Sequence, residues 1–312
     1  MSMFFGNGGA NGGANGGANG GANGGASFFD GAGTGLHEFL EDESGSACLI
    51  LDATFPVGAW APALRAQIAL GELDPASWRP EGKIRIDPPP TDKASLRREI
   101  RTLLDMVPER PARMAEIIAQ SESLEGPWVR LMAAGPGRPA TTALIALGIA
   151  AGQMVGMHFK DRFDRARPAH VYPALMPVIA TPQHASYPSN HSLQSHLIAG
   201  LMSTVLNGKG FDEGLRQPVL TRLAERIARN REVAGVHFPS DSKAGEAIAA
   251  QLLPILAALP ATRALIEKAG LEYPGVKAGP APGGKPGADK SKPAAAKPAP
   301  AGKIRPGKPK GG

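Results

Sequence analysis

Three short stretches of the chain gather side chains that bind anions or move protons. The first is Lys160-Asp-Arg-Phe-Asp-Arg-Ala-Arg167-Pro168. Lys160 and Arg167 stand seven residues apart, two helical turns, so one helix would place both on one side if it held that far. Pro168 biases Arg167 toward an extended backbone and predicts the helix end. The second stretch, Tyr187-Pro188-Ser189-Asn190-His191, opens an apolar run. Ser189 is a candidate N-cap there, and it leaves the backbone N–H groups around Asn190 and His191 pointing out of the helix start as an anion site. The third is Asn230-Arg231-Glu-Val-Ala-Gly-Val-His237-Phe-Pro-Ser-Asp241. Asp241, four residues beyond His237, can accept a hydrogen bond from one imidazole nitrogen; this fixes the tautomer and leaves the other nitrogen nucleophilic. Arg231 supplies a rigid fork suited to phosphate oxygens.

Taken singly, each stretch reads as structure: a solvated helix end, a capped helix, an incidental histidine. Taken together, they hold two histidines, three fixed cations and a helix N-terminus. That is the equipment phosphoryl transfer without a metal requires, namely positioning, charge stabilisation around phosphorus, a nucleophile and a proton donor. No Cys/His/carboxylate cluster in the sequence suggests a metal, and no metal or other cofactor is expected.

The three stretches resemble the signature of the type 2 phosphatidic acid phosphatase and vanadium haloperoxidase superfamily. That signature runs Lys, six residues, Arg-Pro; then Pro-Ser-Gly-His; then Ser-Arg, five residues, His, three residues, Asp. It is matched at Lys160, Arg167 and Pro168, at Pro188, Ser189 and His191, and at Arg231, His237 and Asp241. The run Asp87-Pro-Pro-Pro-Thr-Asp-Lys-Ala-Ser-Leu also looks like the start of the soluble bacterial acid phosphatase domain of that superfamily. The resemblance covers about residues 85–256. Two positions depart from it: Asn190 stands where Gly is usual, and Asn230 where Ser is usual. Asn tolerates the left-handed backbone region and can replace a capping Ser, so neither change removes a catalytic group.

The resemblance implies an all-α helical bundle of the acid phosphatase/haloperoxidase type and a metal-independent phosphomonoesterase. His237 would attack phosphorus, oriented by Asp241. Lys160, Arg167, Arg231, Ser189 and the backbone N–H of Asn190 would hold the oxygens. His191 would protonate the leaving oxygen and then activate water. The implied partner is a small phosphorylated substrate. Vanadate would act as an inhibitor or, in the haloperoxidase alternative, as the cofactor. A third reading is a non-catalytic phosphate-binding domain tethered to a polyanion by a basic tail. An integral membrane lipid phosphatase would need about six spanning helices, and one segment comes close, so no integral membrane association is expected.

Of the remaining histidines, His158 and His196 fall on apolar helices as hydrogen-bonded core residues, and His184 could line the pocket mouth. His37 and His170 match no signature position, and Trp60, Trp78 and Trp128 read as packing residues.

These groups must be held by helices. Thr91 or Asp92 can cap a helix carrying Leu96, Ile100, Leu103 and Leu104 at three- and four-residue spacing. Further helices are expected at about 111–121, 141–163, 190–206, 215–230, 241–256 and 261–269. The apolar stretch 140–157 would be long enough to approach a bilayer crossing, but its Ala/Gly content and charged end suit the central helix of a bundle. Residues 48–51 read as a short strand or a buried helical turn, and Lys83 to Ile86 alternates weakly.

The ends differ in kind. Residues 7–26 are tandem Asn-Gly-Gly-Ala repeats, and 273–312 is a Pro/Ala/Gly/Lys mixture. The expected organisation is therefore a low-complexity segment (1–36), one all-α domain (37–272) and a disordered basic tail (273–312). From Lys277 onward nine basic residues face one acid, so the net charge of +6 belongs to the tail and the remainder carries about −2. The tail could touch a polyanion weakly. The single Cys48 has no partner for a disulfide. The first residues lack a basic and then apolar leader pattern, which favours a cytoplasmic setting, although the family's habit of export leaves the compartment open.

Overall fold

The structure, a computed structural model, describes residues 60–79, 83–207, 209 and 213–275. The repeats, Cys48 to Leu51, His37 and nearly all of the basic tail lie outside the described residues. Ten α-helices are described: α1 Pro62–Leu70, α2 Lys93–Asp105, α3 Arg110–Glu122, α4 Glu125–Met132, α5 Pro139–Phe163, α6 Pro168–Val171, α7 Asn190–Leu206, α8 Glu213–Val233, α9 Pro239–Ala258 and α10 Pro260–Leu271. Among the described residues there is no strand, and the architecture is all-α.

Local chemistry sets most boundaries. Asp92, not Thr91, caps α2 by accepting from Ser95 N at 2.8 Å. Proline occupies the first turn of α1, α5, α9 and α10, where its missing N–H costs no helical bond. The weakly alternating Lys83 to Ile86 is not part of a sheet. Arg85 instead pairs its N–H and C=O with the side-chain amide of Gln251, at 3.0 and 2.9 Å, so one side chain replaces a neighbouring strand.

Helix α5 is apolar almost all round because it is the centre of the bundle. It packs on α1, α7 and α10, while α7 packs on α8 and α9. Gly148, Gly152 and Gly156 form a four-residue stripe on α5 that faces Ile198, Gln194 and Asn190 of α7. A Cβ at Gly148 or Gly152 would meet those side chains at 2.6 and 2.7 Å, so the stripe permits the close antiparallel contact. Helix α5 is long and apolar enough to cross a membrane, and 67% of its apolar window is buried inside the fold.

Trp78 and Trp128 are buried as expected, while Trp60 sits under the Arg65 guanidinium at 4.5 Å. His158 departs from expectation: its ring packs edge-on against Trp78 and Phe159, and its buried Nε2 has no hydrogen-bond partner. His196 keeps one bond, Nδ1 to Ser192 O at 2.8 Å, and leaves Nε2 unpaired.

Candidate active site

The three signature stretches lie on α5, on the α6–α7 connection with the start of α7, and on the α8–α9 turn, and the fold brings them together. Lys160 lies in the last turn of α5, which ends at Phe163 with Asp164 in the left-handed region at φ 42°. The helix therefore does not continue to Arg167. Arg167 precedes Pro168 in extended backbone (φ −79°, ψ 159°) and enters the site from the connection rather than from the helix face.

Each cation is buried. Lys160 Nζ donates to Ala185 O, Ser186 O and Pro188 O at 2.8, 2.9 and 2.5 Å. Arg167 donates from Nε to His184 O and from Nη1 to Val236 O, both at 2.8 Å. Arg231 lies in the last turn of α8 and donates to Ser121 Oγ and Ile117 O of α3, at 2.8 and 2.7 Å; its Nε has no partner. Among the described residues, none of the three has a carboxylate within 4.0 Å. Burial, joined at Lys160 by the Arg167 charge and only partly opposed by the more distant Asp241, lowers the pKa of Lys160 well below its usual value and brings Arg167 and Arg231 down to about 10.

His237 lies beside Arg167 and within reach of the Lys160 charge, while the Arg231 charge acts on His191. The His237 Nδ1 donates to Asp241 Oδ2 at 3.1 Å, which leaves Nε2 as the lone-pair nitrogen, 3.3 Å from Arg167 Nη1. Burial, then the charges of Arg167 and Lys160, hold its pKa well below the ordinary histidine value. Asp241 is fully buried and saturated with donors. It accepts from Ser186 Oγ at 2.5 Å, from Phe238 N at 2.9 Å and from Arg165 Nη1 at 2.6 Å. The Phe238 bond also caps the start of α9.

Ser189 is the N-cap of α7 and accepts from Ser192 N at 3.4 Å, while its own N–H donates to Asp241 O. The first N–H groups of α7, at Asn190 and His191, have no intrahelical acceptor. His191 is partly exposed and donates from Nε2 to Gln120 O at 3.1 Å. Burial and the neighbouring Arg231 depress its pKa to about 3. Asn190 donates to Gln153 Oε1 at 2.8 Å and leaves Oδ1 unpaired against Gly156, so its bulk is accommodated in α5. Asn230 does not cap a helix. It lies inside α8, donates to Glu116 and Gln120 at 3.0 Å, and accepts from Arg113 at 3.0 Å, joining α8 to α3.

Four contributors escaped the sequence reading. Arg165 sits in the spacer between Lys160 and Arg167 and bridges Asp241 to Glu99 of α2, each at 2.6 Å, with its guanidinium 4.0 Å above Phe238. Ser186 precedes the second stretch, and its only signal was adjacency. Glu99 and the α3 end (Ile117, Gln120, Ser121) are more than 60 residues from the groups they touch, with no local pattern to mark them. His184 does line a cavity mouth: a cleft of about 350 Å³ is walled by Arg165, Arg167, His170, Gln183 and His184. Its Nδ1 is 3.1 Å from Arg167 Nη2, and burial with the nearby Lys160 and Arg167 charges lowers its pKa to about 4. Among the described residues, no group of three or more His, Cys, Asp or Glu could hold a metal ion.

The run that begins at Asp87 also meets the site, because Tyr187 donates its hydroxyl to Asp87 O at 2.5 Å. The family model for the PAP2 superfamily matches residues 141–264, a span that contains every signature position. No curated protein matches the chain. Among solved structures it is similar to the first transmembrane PAP2-type phosphatidylglycerolphosphate phosphatase from Bacillus subtilis, with a TM-score of 0.43 and 14% identity over 63% of this chain and 94% of that one. The converging residues therefore lie in a stretch, residues 141–264, that is similar to the PAP2 superfamily.

Proposed function

We propose that the domain is a metal-independent phosphoric monoester hydrolase acting through a phosphohistidine at His237. Phosphatase-type hydrolysis of phosphoesters is what the similarity to the PAP2 superfamily supports, and it does not favour halide oxidation. The observation that carries the finer reading is the set of three buried cations without carboxylate partners, two acting on the His237 imidazole and one on His191, with Asp241 holding the His237 Nδ1.

In this reading His237 Nε2 attacks phosphorus and the P–O ester bond breaks, with its electron pair passing to the leaving oxygen. His191, brought to its imidazolium form by the negative charge of the bound phosphate, supplies that oxygen with a proton and becomes neutral. Water, deprotonated by His191, then displaces the phosphoryl group from Nε2 and restores the imidazole. Lys160, Arg167 and Arg231 balance charge on the non-bridging oxygens, joined by Ser189 and the N–H of Asn190. Asp241 holds Nδ1–H. Substrate oxygens would take over donors now satisfied by Ile117 O, Gln120 O, Ser121 Oγ and the 185–188 carbonyls, so entry requires the end of α3 to give way.

Turnover of p-nitrophenyl phosphate, followed by a panel of lipid phosphates and pyrophosphates, tests this directly. Hydrolysis that persists in a chelator and disappears in His237→Ala is expected. Full turnover by His237→Ala would overturn the mechanism.

A further inference from the structure

Helix α2 presents two functional faces. Glu99 points inward to Arg165 and Ser240 N. Another face, with Lys93, Leu96, Arg97, Ile100, Arg101 and Leu104 at three- and four-residue steps, lines a groove of about 420 Å³ closed by Val171 and Tyr172. Its apolar residues remain partly open: Leu104 is 39% exposed, and Val171 and Tyr172 are each 40% exposed. Its three cations have no carboxylate partner among the described residues. An apolar trough rimmed only by positive charge selects an amphipathic anion.

We infer that this groove is the docking site for residues 37–43 of the same chain, His37-Glu-Phe-Leu-Glu-Asp-Glu43. This stretch is the densest acidic run in the sequence, with Glu38, Glu41, Asp42 and Glu43 around the apolar pair Phe39-Leu40. The side chains complement the groove in both respects, carboxylates for Lys93, Arg97 and Arg101 and a bulky apolar pair for the trough. The basic 273–312 tail carries the wrong sign. Sixteen residues (44–59) separate the acidic run from the first described residue, Trp60. At ~3.3 Å each they reach roughly 50 Å, whereas a domain of this size has a radius of gyration of about 17 Å. Tethering raises the local concentration to the order of millimolar, so even a modest contact is populated.

Amide hydrogen exchange of the full chain tests the assignment. Residues 93–104 should exchange about threefold or more slowly in the wild type than in the Glu38→Gln/Glu41→Gln/Asp42→Asn/Glu43→Gln variant or a chain lacking residues 1–44. Added salt should remove the difference, because the pairing is superficial. Arg97→Glu/Arg101→Glu, both at exposed positions, should abolish the protection, and adding Glu41→Lys/Glu43→Lys should restore it. Equal exchange in the wild type and the neutralised chain overturns the inference. So does protection that appears only at high protein concentration, which indicates a second copy, or only with anionic vesicles, which indicates a lipid surface.

Discussion

Four cationic side chains are buried among the described residues, and they fall into two groups. Arg165 is neutralised on both sides, by Asp241 and by Glu99. Lys160, Arg167 and Arg231 are as deeply buried, yet they rest on neutral groups: carbonyls, one hydroxyl and two imidazole nitrogens. Desolvating an ion costs several kcal/mol, and neutral acceptors offset only part of that. The first arrangement is a finished structural bridge that holds Asp241 in place. The second stores a cost that an oxyanion would relieve, and the same chain contains both within one site.

The largest effect should come from the residue between the two groups. His237→Ala should reduce phosphate-ester turnover by about 10⁴-fold or more while leaving the fold intact by circular dichroism. Next, the two kinds of cation should respond oppositely. Arg167→Met should lower kcat/KM by ~10²–10³-fold and leave unliganded stability unchanged or raised. Arg165→Met should destabilise by about 3 kcal/mol, because it leaves Asp241 and Glu99 short of their shared partner. Chemical denaturation of both variants beside their kinetics separates the cases; equal destabilisation would dissolve the distinction.

Orthovanadate should raise Tm in the wild type. At a hundredfold excess over Kd the gain is ~2.7 kcal/mol, or about 5–10 °C for a domain of this size, and Arg167→Met should lose most of it. A smaller effect follows from the histidines. His184, His191 and His237 have folded pKa values below the ordinary 6.5, so their neutral forms contribute stability above pH 6.5 that is lost as pH falls toward 4 and 3. Tm of the unliganded protein should therefore drop through that window, and less steeply with vanadate bound. The smallest change should be Asn190→Gly, which removes an unpaired buried oxygen and one bond to Gln153: activity should shift by less than about tenfold.

The helices were legible where apolar spacing and capping residues agreed. The expected 190–206 matches α7 at both ends, and α2, α3, α5, α9 and α10 differ by only a few residues at their boundaries. Helices α1 and α4 went unread because they are short and their apolar positions are too few to set a period. Among the site residues, Lys160, Arg167, Ser189, His191, Arg231, His237 and Asp241 carried a spacing that could be read along the chain. Glu99, Gln120 and Ser121 did not, because they reach the site only through tertiary packing of α2 and α3. Asn230 was misread for a related reason: helix α8 runs three residues past it, turning an expected cap into a link between helices.

The central claim concerns which atom receives the phosphoryl group. Rapid acid-free denaturation of the enzyme during turnover of ³²P-labelled phosphomonoester, followed by peptide mapping, reads it directly. The account predicts an acid-labile, base-stable label on His237 that accumulates in His191→Ala and is absent from His237→Ala. Label on another residue, or turnover with no covalent phosphoryl enzyme under conditions that preserve phosphohistidine, would contradict it.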